Sequence, residues 1–413
     1  MKLIHAADIH LDSPMRGLAR YDGAPVEQLR LATRAALANL VDLAIDEEAD
    51  ALLIAGDLFD GDWPDFGTGA HFAREMNRLR DAQIPVVTVA GNHDAASRIT
   101  RTLRMPDNVR TLSAEAPDTA VYEELGLAVH GQSFATAAVL DDLSAGYPVP
   151  LPGYVNVGLL HTSANGRLGH EPYAPCRPDR LAEHGYSYWA LGHVHQREIL
   201  VADPPVVFAG CLQGRHVREA GAKGATVVQI DDGRVVSLEE RALDDVRWAI
   251  CEVDAGDAAD ENDVFGRMSD QLRQAATECG DRLLAVRVKV FGATEAHAEL
   301  VRDVDRLRHE AAVVATDAAC GGAWVERVVL RTSPPSAISP EGDDAYAEVV
   351  RAIRVAANST AVLDQLADEL GPLAAKLPGA LLADFDPTDP DTISGLLSEV
   401  ERTLPVRLLE EPA

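Results

Sequence analysis

The chain has 413 residues and a formal net charge of -29, and it contains no run of eighteen apolar residues. This length exceeds the usual size of one domain, so two or three folded units are expected. The lack of a long apolar run predicts a cytoplasmic protein with no membrane partner. An acidic surface repels polyphosphate at long range, so a nucleic-acid partner would require a local basic face or bound metal.

Short apolar strands alternate with helical patterns from Lys2 to about Arg241, which predicts a layered α/β domain. Asp232-Gly233 is typical of a hairpin turn and lies between the last two predicted strands of this region. The predicted strands are Leu3–Ala7, Ala51–Ala55, Val86–Ala90, Ala128–Gly131, Val155–Leu160, Trp189–Leu191, Val206–Ala209, Thr226–Ile230 and Val235–Leu238, and the predicted helices are Val26–Glu48 and Phe66–Gln83.

The pattern changes after about Leu243. A small α+β unit is predicted next, and Thr332–Pro335 reads as a linker before an acidic helical region. The sequence therefore predicts three segments, residues 1–243, 244–333 and 334–413. The predicted elements of the last two are strands Ala249–Val253, Leu283–Phe291 and Trp324–Leu330, and helices Val264–Glu278, Glu295–Glu310, Tyr346–Ala357, Ala361–Leu370 and Thr392–Leu404.

Five predicted strands end in residues that can bind metal. Open sheets usually place their ligand groups at the carboxyl ends of strands, so these side chains are expected to meet. By contrast, His5 lies inside the first strand and is interpreted as a core histidine. The strand-end residues are Asp8 and His10 in ADIH, Asp57 in AGDLFD, Asn92, His93 and Asp94 in GNHD, His161 in LLHTS, and His193 and His195 in LGHVH.

These residue types favour a site for two divalent metal ions. Imidazole, carboxylate and amide ligands suit manganese, iron or zinc, and two such ions about 3.5–4 Å apart would share an aspartate as bridge. Two divalent cations bring four positive charges, and the Asp8 and Asp57 carboxylates cancel two, so the site would attract phosphate. Each motif alone is more typical of a turn, a cap or a core histidine, but five in succession favour the metal interpretation.

The motifs DIH, GDLFD, GNHD, the single His161 and GHVH resemble those of calcineurin-like metallophosphoesterases, in the same order. Within that superfamily the chain is similar to SbcD-type DNA repair exonucleases. The stretch CLQGRHVREAGAKG, residues 211–224, resembles the bacterial YhaO-like branch. The resemblance implies an α/β fold, namely a layered α/β/β/α sandwich with a small α+β capping domain and a helical C-terminal tail.

The resemblance also implies roles for individual residues. His93 would act on the substrate and Asp94 would orient it, whereas Asp60, which stands where the SbcD-type motif ends in histidine, receives no role. Manganese is the usual metal of such nucleases. Metal one would be held by Asp8, His10, Asp57 and His195, and metal two by Asp57, Asn92, His161 and His193.

The expected substrate is DNA, because basic residues flank the predicted site on an otherwise acidic chain, although solvated surface arginines are an equally ordinary interpretation. The family resemblance further implies a capping domain that guides DNA and a tail that binds an SbcC-type coiled-coil ATPase, and it is compatible with a homodimer. The candidate substrate contacts are Arg16, Arg20, Arg98, Arg101, Arg215 and His216.

Two other functions remain open at this stage. One is a phosphatase or cyclic-nucleotide phosphodiesterase that uses the same dinuclear site. The other is a regulatory subunit of an ATPase complex with little activity of its own. The complete set of ligand types argues against the regulatory subunit, because a scaffold does not need metal ligands.

Overall fold

The computed structural model describes residues 1–14, 23–60, 67–96, 105–165, 172–335, 345–377, 386–397 and 400. Contacts divide the chain into two units, Met1–Ala249 with Asp281–Ala285, and Ile250–Gly280 with Val286–Ala413. The division into three segments stays a prediction. No helix within the described ranges combines the length and apolar character that crossing a bilayer would require.

The first unit contains two six-stranded sheets. Each has four neighbouring parallel strands, β1 to β4 on one side of the first sheet and β6, β7, β8 and β10 at the centre of the second. The first sheet has the order β12-β11-β1-β2-β3-β4, with β1 Lys2–Ala6, β2 Ala51–Ile54, β3 Val86–Thr88, β4 Val109–Thr111, β11 Gly224–Asp231 and β12 Arg234–Ala242. The second has the order β5-β6-β7-β8-β10-β9, with β5 Asp118–Tyr122, β6 Leu127–Gly131, β7 Val155–His161, β8 Tyr188–Gly192, β9 Glu198–Ala202 and β10 Pro205–Phe208.

Helices cover the outer faces of both sheets. The helices of this unit are α1 Val26–Asp46, α2 Gly67–Asp81, α3 Asn92–Ala96 and α4 Pro178–Glu183. In α1, Leu29, Leu37, Leu40, Val41 and Ala44 are buried at helical spacing. Of these, Leu37, Leu40, Val41 and Ala44 share a core with the outer face of the first sheet, and α4 contributes Leu181 to a core on the second.

A third apolar core lies between the sheets. Leu3, Leu53 and Val87 of the first sheet are in the same core as Val157 and Ala190 of the second. Strands covered on both faces read as continuous apolar runs, as β2 does with ALLI. Each such fully buried aliphatic side chain contributes about 1.5–3 kcal/mol to the free energy of unfolding. This packing holds the ends of the strands in place, and it therefore sets the positions of the residues that follow them.

Most residues of a three-stranded sheet belong to the second unit, and helices pack on this sheet. Helices α5 and α7 contact each other, and α7 also contacts the last strand, β15. The sheet order is β13-β14-β15, with β13 Val246–Asp254, β14 Leu283–Ala293 and β15 Ala323–Ser333. The helices are α5 Glu261–Cys279, α6 His297–Arg302, α7 Val304–Ala318, α8 Ala345–Ala357 and α9 Thr360–Ala374.

The predicted α/β fold class is confirmed, and its two sheets lie between layers of helix. The predicted helix Glu295–Glu310 is instead two helices that meet at Asp303, whose side chain accepts a hydrogen bond from the Arg306 backbone and so begins a new helix. Strands β4, β5 and β9 are short and largely exposed, and no apolar pattern predicted them.

Candidate metal centre

The ligand residues predicted from the sequence meet where strands of both sheets end. Asp8, His10 and Asp57 follow β1 and β2, and Asn92 begins α3 after β3. From the second sheet, His161 ends β7, and His193 and His195 follow β8. Because the sheets pack face to face, two sets of strand ends converge, although the residues are up to 187 positions apart in the chain.

The first cluster consists of Asp8, His10 and His195. Nε2 of His10 lies 3.2 Å from Nε2 of His195, and Nε2 of His195 lies 3.9 Å from Oδ1 of Asp8. The second cluster consists of Asp57, His161 and His193, and Oδ1 of Asn92 lies 3.0 Å from Nε2 of His161.

Asp57 belongs to the second cluster and also faces a histidine of the first. Its Oδ2 is 4.0 Å from Nε2 of His10 and 3.5 Å from Nε2 of His161. The backbone N–H of His93 donates a hydrogen bond to the other oxygen, Oδ1, at 2.9 Å. One carboxylate therefore contacts both groups of histidines, which is the position that a bridging ligand occupies.

Several backbone conformations at the site are strained. Asp8, His10, Asp57 and His193 all have positive φ, between 46° and 99°, a region that side-chain-bearing residues rarely adopt. Such conformations cost about 1–3 kcal/mol each and persist where the surrounding structure enforces them. A Cβ at Gly192 would overlap the Ala55 carbonyl, so glycine is required there for the two sheets to approach.

The hydrogen bonds of His161 indicate that a cation belongs in the second cluster. Its Nδ1 lies 2.9 Å from the Ala55 carbonyl oxygen, which can only accept, so Nδ1 carries the hydrogen. Burial lowers the pKa of His161 to about 3, so the ring is neutral. Its Nε2 lone pair then faces the side-chain amide of Asn92 at 3.0 Å, and the two groups are placed to bind one metal ion together.

The buried carboxylates support the same conclusion. Burial, followed by the charge of Asp57, raises the pKa of Asp8 well above its ordinary value. Burial also raises the pKa of Asp57, whereas it holds the pKa of His10 well below its ordinary value. The carboxyl groups of Asp8 and Asp57 thus lie in a buried space with the neutral imidazoles of His10 and His161, and bound cations would favour the charged form of both carboxyl groups. The residues present fit divalent metal ions well.

Comparison with known proteins identifies this arrangement. The family model described as calcineurin-like phosphoesterase matches residues 1–197, and that of the metallophosphoesterase YhaO middle domain matches residues 248–333. The chain is 32% identical over 274 residues to the uncharacterized metallophosphoesterase YhaO of Bacillus subtilis, covering 65% of this chain and 67% of that protein. The chain belongs to the calcineurin-like metallophosphoesterases.

Other relatives of this metallophosphoesterase have names that refer to DNA or to a nuclease. It is 27% identical to the DNA double-strand break repair protein Mre11 of Sulfurisphaera tokodaii, over 59% of this chain and 63% of that protein. It is 33% identical to the SbcD component of the nuclease SbcCD of Rhodobacter capsulatus, over 32% of this chain and 27% of that protein. These alignments leave much of each relative unmatched, so they establish the shared family alone.

His93 lies beside the predicted metal ligands, and its imidazole is more exposed than that of His195. Its ring centroid is 4.9 Å from that of His10, and 42% of its side chain is exposed. Its Nδ1 lies 2.8 Å from Oδ1 of Asp60. Burial alone would lower the pKa of His93, but the hydrogen bond to Asp60 and the charge of Asp57 raise it.

The prediction that Asp94 orients His93 is wrong. The Asp94 carboxylate instead accepts hydrogen bonds from the backbone N–H groups of Leu58, Phe59 and Gly91, at 3.0–3.1 Å. As the third residue of the short helix α3, Asp94 points inward to the loop after β2. It therefore fixes the loops that carry Asp57 and Asn92, while Asp60 takes the role expected of Asp94.

Asp60 received no predicted role, although it is the last residue of the GDLFD motif. Ser13 donates a hydrogen bond to its Oδ2 at 2.6 Å, in addition to the contact with His93. Burial opposes its ionisation, but the hydrogen bonds from His93 and Ser13 lower its pKa to about 2. The available signal was a carboxylate three residues after Asp57, on the same loop.

The candidate substrate contacts differ in what the structure says of them. Arg215 has a partly buried side chain, 16% exposed, that forms ion pairs with Asp60 and Glu219. Its role as a substrate contact stays a prediction. His216 is 45% exposed and faces Glu219 at 3.7 Å. Four further candidates, Arg16, Arg20, Arg98 and Arg101, lie outside the described residues.

Proposed function

We propose that this metallophosphoesterase is a nuclease that hydrolyses phosphodiester bonds of DNA with two divalent metal ions, manganese in its working form. The observation that carries the proposal is the shared position of Asp57 between two ligand clusters with His93 exposed beside them. Phosphodiester hydrolysis requires a cationic site and a proton donor for the leaving oxygen. The relatives named as a DNA repair protein and as part of a nuclease support DNA as the substrate.

The residues divide the work between them. Asp8, His10, Asp57 and His195 would hold metal one, and Asp57, Asn92, His161 and His193 would hold metal two. When bound, two divalent cations supply Lewis acidity and a nucleophile that is active at neutral pH. The low exposure of the ligands limits solvent at the reacting group and strengthens its electrostatic interactions.

His93 would deliver a proton to the leaving oxygen. Asp60 occupies Nδ1, so Nε2 of the same ring is the nitrogen available to a substrate oxygen. The Asp60 carboxylate both orients the imidazole and stabilises its positive charge. Asp94 contributes indirectly, because its three backbone hydrogen bonds keep the loops of Asp57 and Asn92 in register.

The test is a manganese-dependent assay on single-stranded DNA, double-stranded DNA and a small phosphodiester. We expect cleavage of DNA that chelation of the metal abolishes, and cleavage by His93→Ala that is slower by about 10²–10⁴-fold, with metal content measured on the same preparations. Hydrolysis of the small phosphodiester or of a phosphomonoester without cleavage of either DNA would instead favour the phosphatase or cyclic-nucleotide phosphodiesterase function. Absence of all hydrolysis despite full metal content would favour the regulatory subunit.

We further propose that helices α8 and α9 bind an SbcC-type coiled-coil ATPase. No described side chain of α9 is buried, and exposed apolar residues occur on both helices, Val355 at 70% and Leu373 at 50%. Amphipathic helices of this kind dock through exposed apolar faces. The full chain should co-elute with such an ATPase, and Val355→Glu with Leu373→Glu should abolish co-elution while leaving DNA cleavage by the isolated chain unchanged. Undiminished co-elution would exclude these helices.

A further inference from the structure

The segment Cys211–Glu219 passes beside the first ligand cluster. The backbone N–H of Cys211 donates to the His195 carbonyl at 3.2 Å, and that of Leu212 donates to the Asp8 carbonyl at 3.4 Å. Ala7 and Cys211 also form an isolated β-bridge. The segment is therefore fixed to the backbones of two residues of the first cluster before it reaches Glu219.

Glu219 is buried and contacts His195 directly. Its Oε1 lies 2.6 Å from Nδ1 of His195, on the opposite side of the ring from the nitrogen that faces His10 and Asp8. Only 5% of the residue is exposed. A buried carboxylate requires partners, and the partner at the shortest distance here is a residue that the proposed function assigns to metal one.

The contact fixes which nitrogen of His195 carries the hydrogen. Both oxygens of Glu219 accept hydrogen bonds from Arg215, Oε2 from its backbone N–H and Oε1 from its guanidinium, so the group acts as a carboxylate. A carboxylate only accepts, so Nδ1 of His195 donates and Nε2 keeps its lone pair. That lone pair points into the first cluster, where a metal ligand must have it.

Arg215 holds Glu219 in turn. Its backbone N–H donates to Oε2 of Glu219 at 2.7 Å, and its guanidinium donates to Oε1 at 3.1 Å. The other end of the guanidinium faces Oδ2 of Asp60 at 3.6 Å. One partly buried arginine thus lies between the carboxylate at His195 and the carboxylate at His93.

We propose that Glu219 is the positioning residue of His195, held by Arg215, and that it tunes the affinity of the first cluster for its metal ion. The assignment of His195 as a ligand rests on the proposed function. Outer carboxylates that accept from a ligating imidazole orient the ring and raise its basicity, and their loss typically costs about 10–100-fold in metal affinity. Arg215 thereby serves as a structural cation.

The decisive variant is Glu219→Gln, measured by calorimetric titration of the full chain with Mn²⁺ alone. Glutamine keeps the shape but has one acceptor oxygen, whereas Glu219 receives donors on both oxygens, so the amide cannot satisfy His195 and the Arg215 backbone together. We expect one of the two Mn²⁺ affinities to fall by about 10–100-fold and the other to stay unchanged. Glu240→Gln, on an exposed strand residue, removes the same charge and should change neither affinity.

A double-mutant cycle separates positioning from general structural support. If Glu219 acts through His195, adding Glu219→Gln to a His195→Gln variant should lower the Mn²⁺ affinity by less than about threefold. Equal losses in both backgrounds would overturn the proposal, as would Mn²⁺ binding by Glu219→Gln that matches the wild-type chain. Thermal unfolding in chelator should give the same midpoint for Glu219→Gln and wild type, and a lowered midpoint with unchanged affinity would assign Glu219 to structure alone.

Two additions keep every outcome informative. Glu219→Asp retains the charge but is shorter by one methylene, so an intermediate loss of affinity is expected, and this variant replaces Glu219→Gln if the latter fails to fold. Because the readout is Mn²⁺ affinity, it is independent of nuclease activity. If the wild-type chain binds Mn²⁺ but cleaves no DNA, the proposed function is refuted, whereas the proposed role of Glu219 in Mn²⁺ binding is not.

Discussion

The two ligand clusters are built from similar residues but are held in different ways. In the second cluster, His161 is fully buried and its Nδ1 donates to a backbone carbonyl, that of Ala55. In the first, His195 is 20% exposed and its Nδ1 donates to the side chain of Glu219, which depends on Arg215. Backbone support comes with the fold, whereas side-chain support can be changed by one substitution. Substitution of surrounding side chains should therefore change the metal affinity of the second cluster little and that of the first cluster more.

Asp57→Ala should have the largest effect, because it removes the side chain that lies between both clusters. We expect the affinity for both metal ions to fall by more than about 100-fold, beyond the usual cost of losing an outer partner. DNA cleavage should disappear with them. Elemental analysis of the purified chain gives the metal content, and Asp81→Ala on an exposed helix position is the matched control. Retention of a full metal complement would refute the dinuclear arrangement.

His93→Ala should separate chemistry from metal binding. The imidazole faces Asp60 and is not part of the predicted ligand set, so metal content should stay near that of the wild-type chain. Turnover of DNA should fall by about 10²–10⁴-fold, the usual contribution of a general acid. A parallel loss of metal and turnover would make His93 a ligand.

Gly56→Ala tests whether the second cluster depends on backbone geometry. Gly56 has φ of 89°, and a Cβ there would lie 2.5 Å from Nδ1 of His161. Gly153 has φ of 84° with nothing within 4 Å, so Gly153→Ala carries the backbone strain alone. Relative to that control, we expect Gly56→Ala to lose about 1–3 kcal/mol more in the free energy of unfolding, from overpacking.

The same substitution should also affect metal binding unevenly. Displacement of the His161 ring would weaken one Mn²⁺ affinity and leave the other nearly unchanged in a calorimetric titration. Equal weakening of both affinities would mean that the two clusters are not supported independently. It would refute the distinction between backbone support of the second cluster and side-chain support of the first.

Arg215→Lys should have the smallest effect of this series. The backbone N–H of residue 215 still donates to Glu219, but the planar guanidinium that faces both Glu219 and Asp60 is lost. We expect one Mn²⁺ affinity to fall about fivefold, which corresponds to roughly 1 kcal/mol for a weakened charge-assisted hydrogen bond. Arg241→Lys, in an exposed ion pair, is the control and should leave both affinities unchanged. No change on Arg215→Lys would show that the backbone alone holds Glu219.

The sequence by itself determined the fold class and the set of residues that meet at the centre. Buried parallel strands must be apolar along their length, and the polar residues that follow them must lie at strand ends. Both features could therefore be predicted from the sequence alone. The residues that orient the centre were less visible. Asp94 and Asp60 are carboxylates on neighbouring loops, and nothing in their spacing tells which of them faces the imidazole.

Tertiary structure decided the outer contacts of the site. Asp94 points inward because three backbone N–H groups converge on it, and Asp60 points to His93 because Ser13 and the guanidinium of Arg215 flank it. Glu219 reaches His195 across 24 positions of the chain only because Cys211 and Leu212 pair with the two cluster backbones. Ligand types follow from local sequence, since each motif is a strand and its end. The partners of those ligands follow from packing, because they come from segments that only the folded chain brings together.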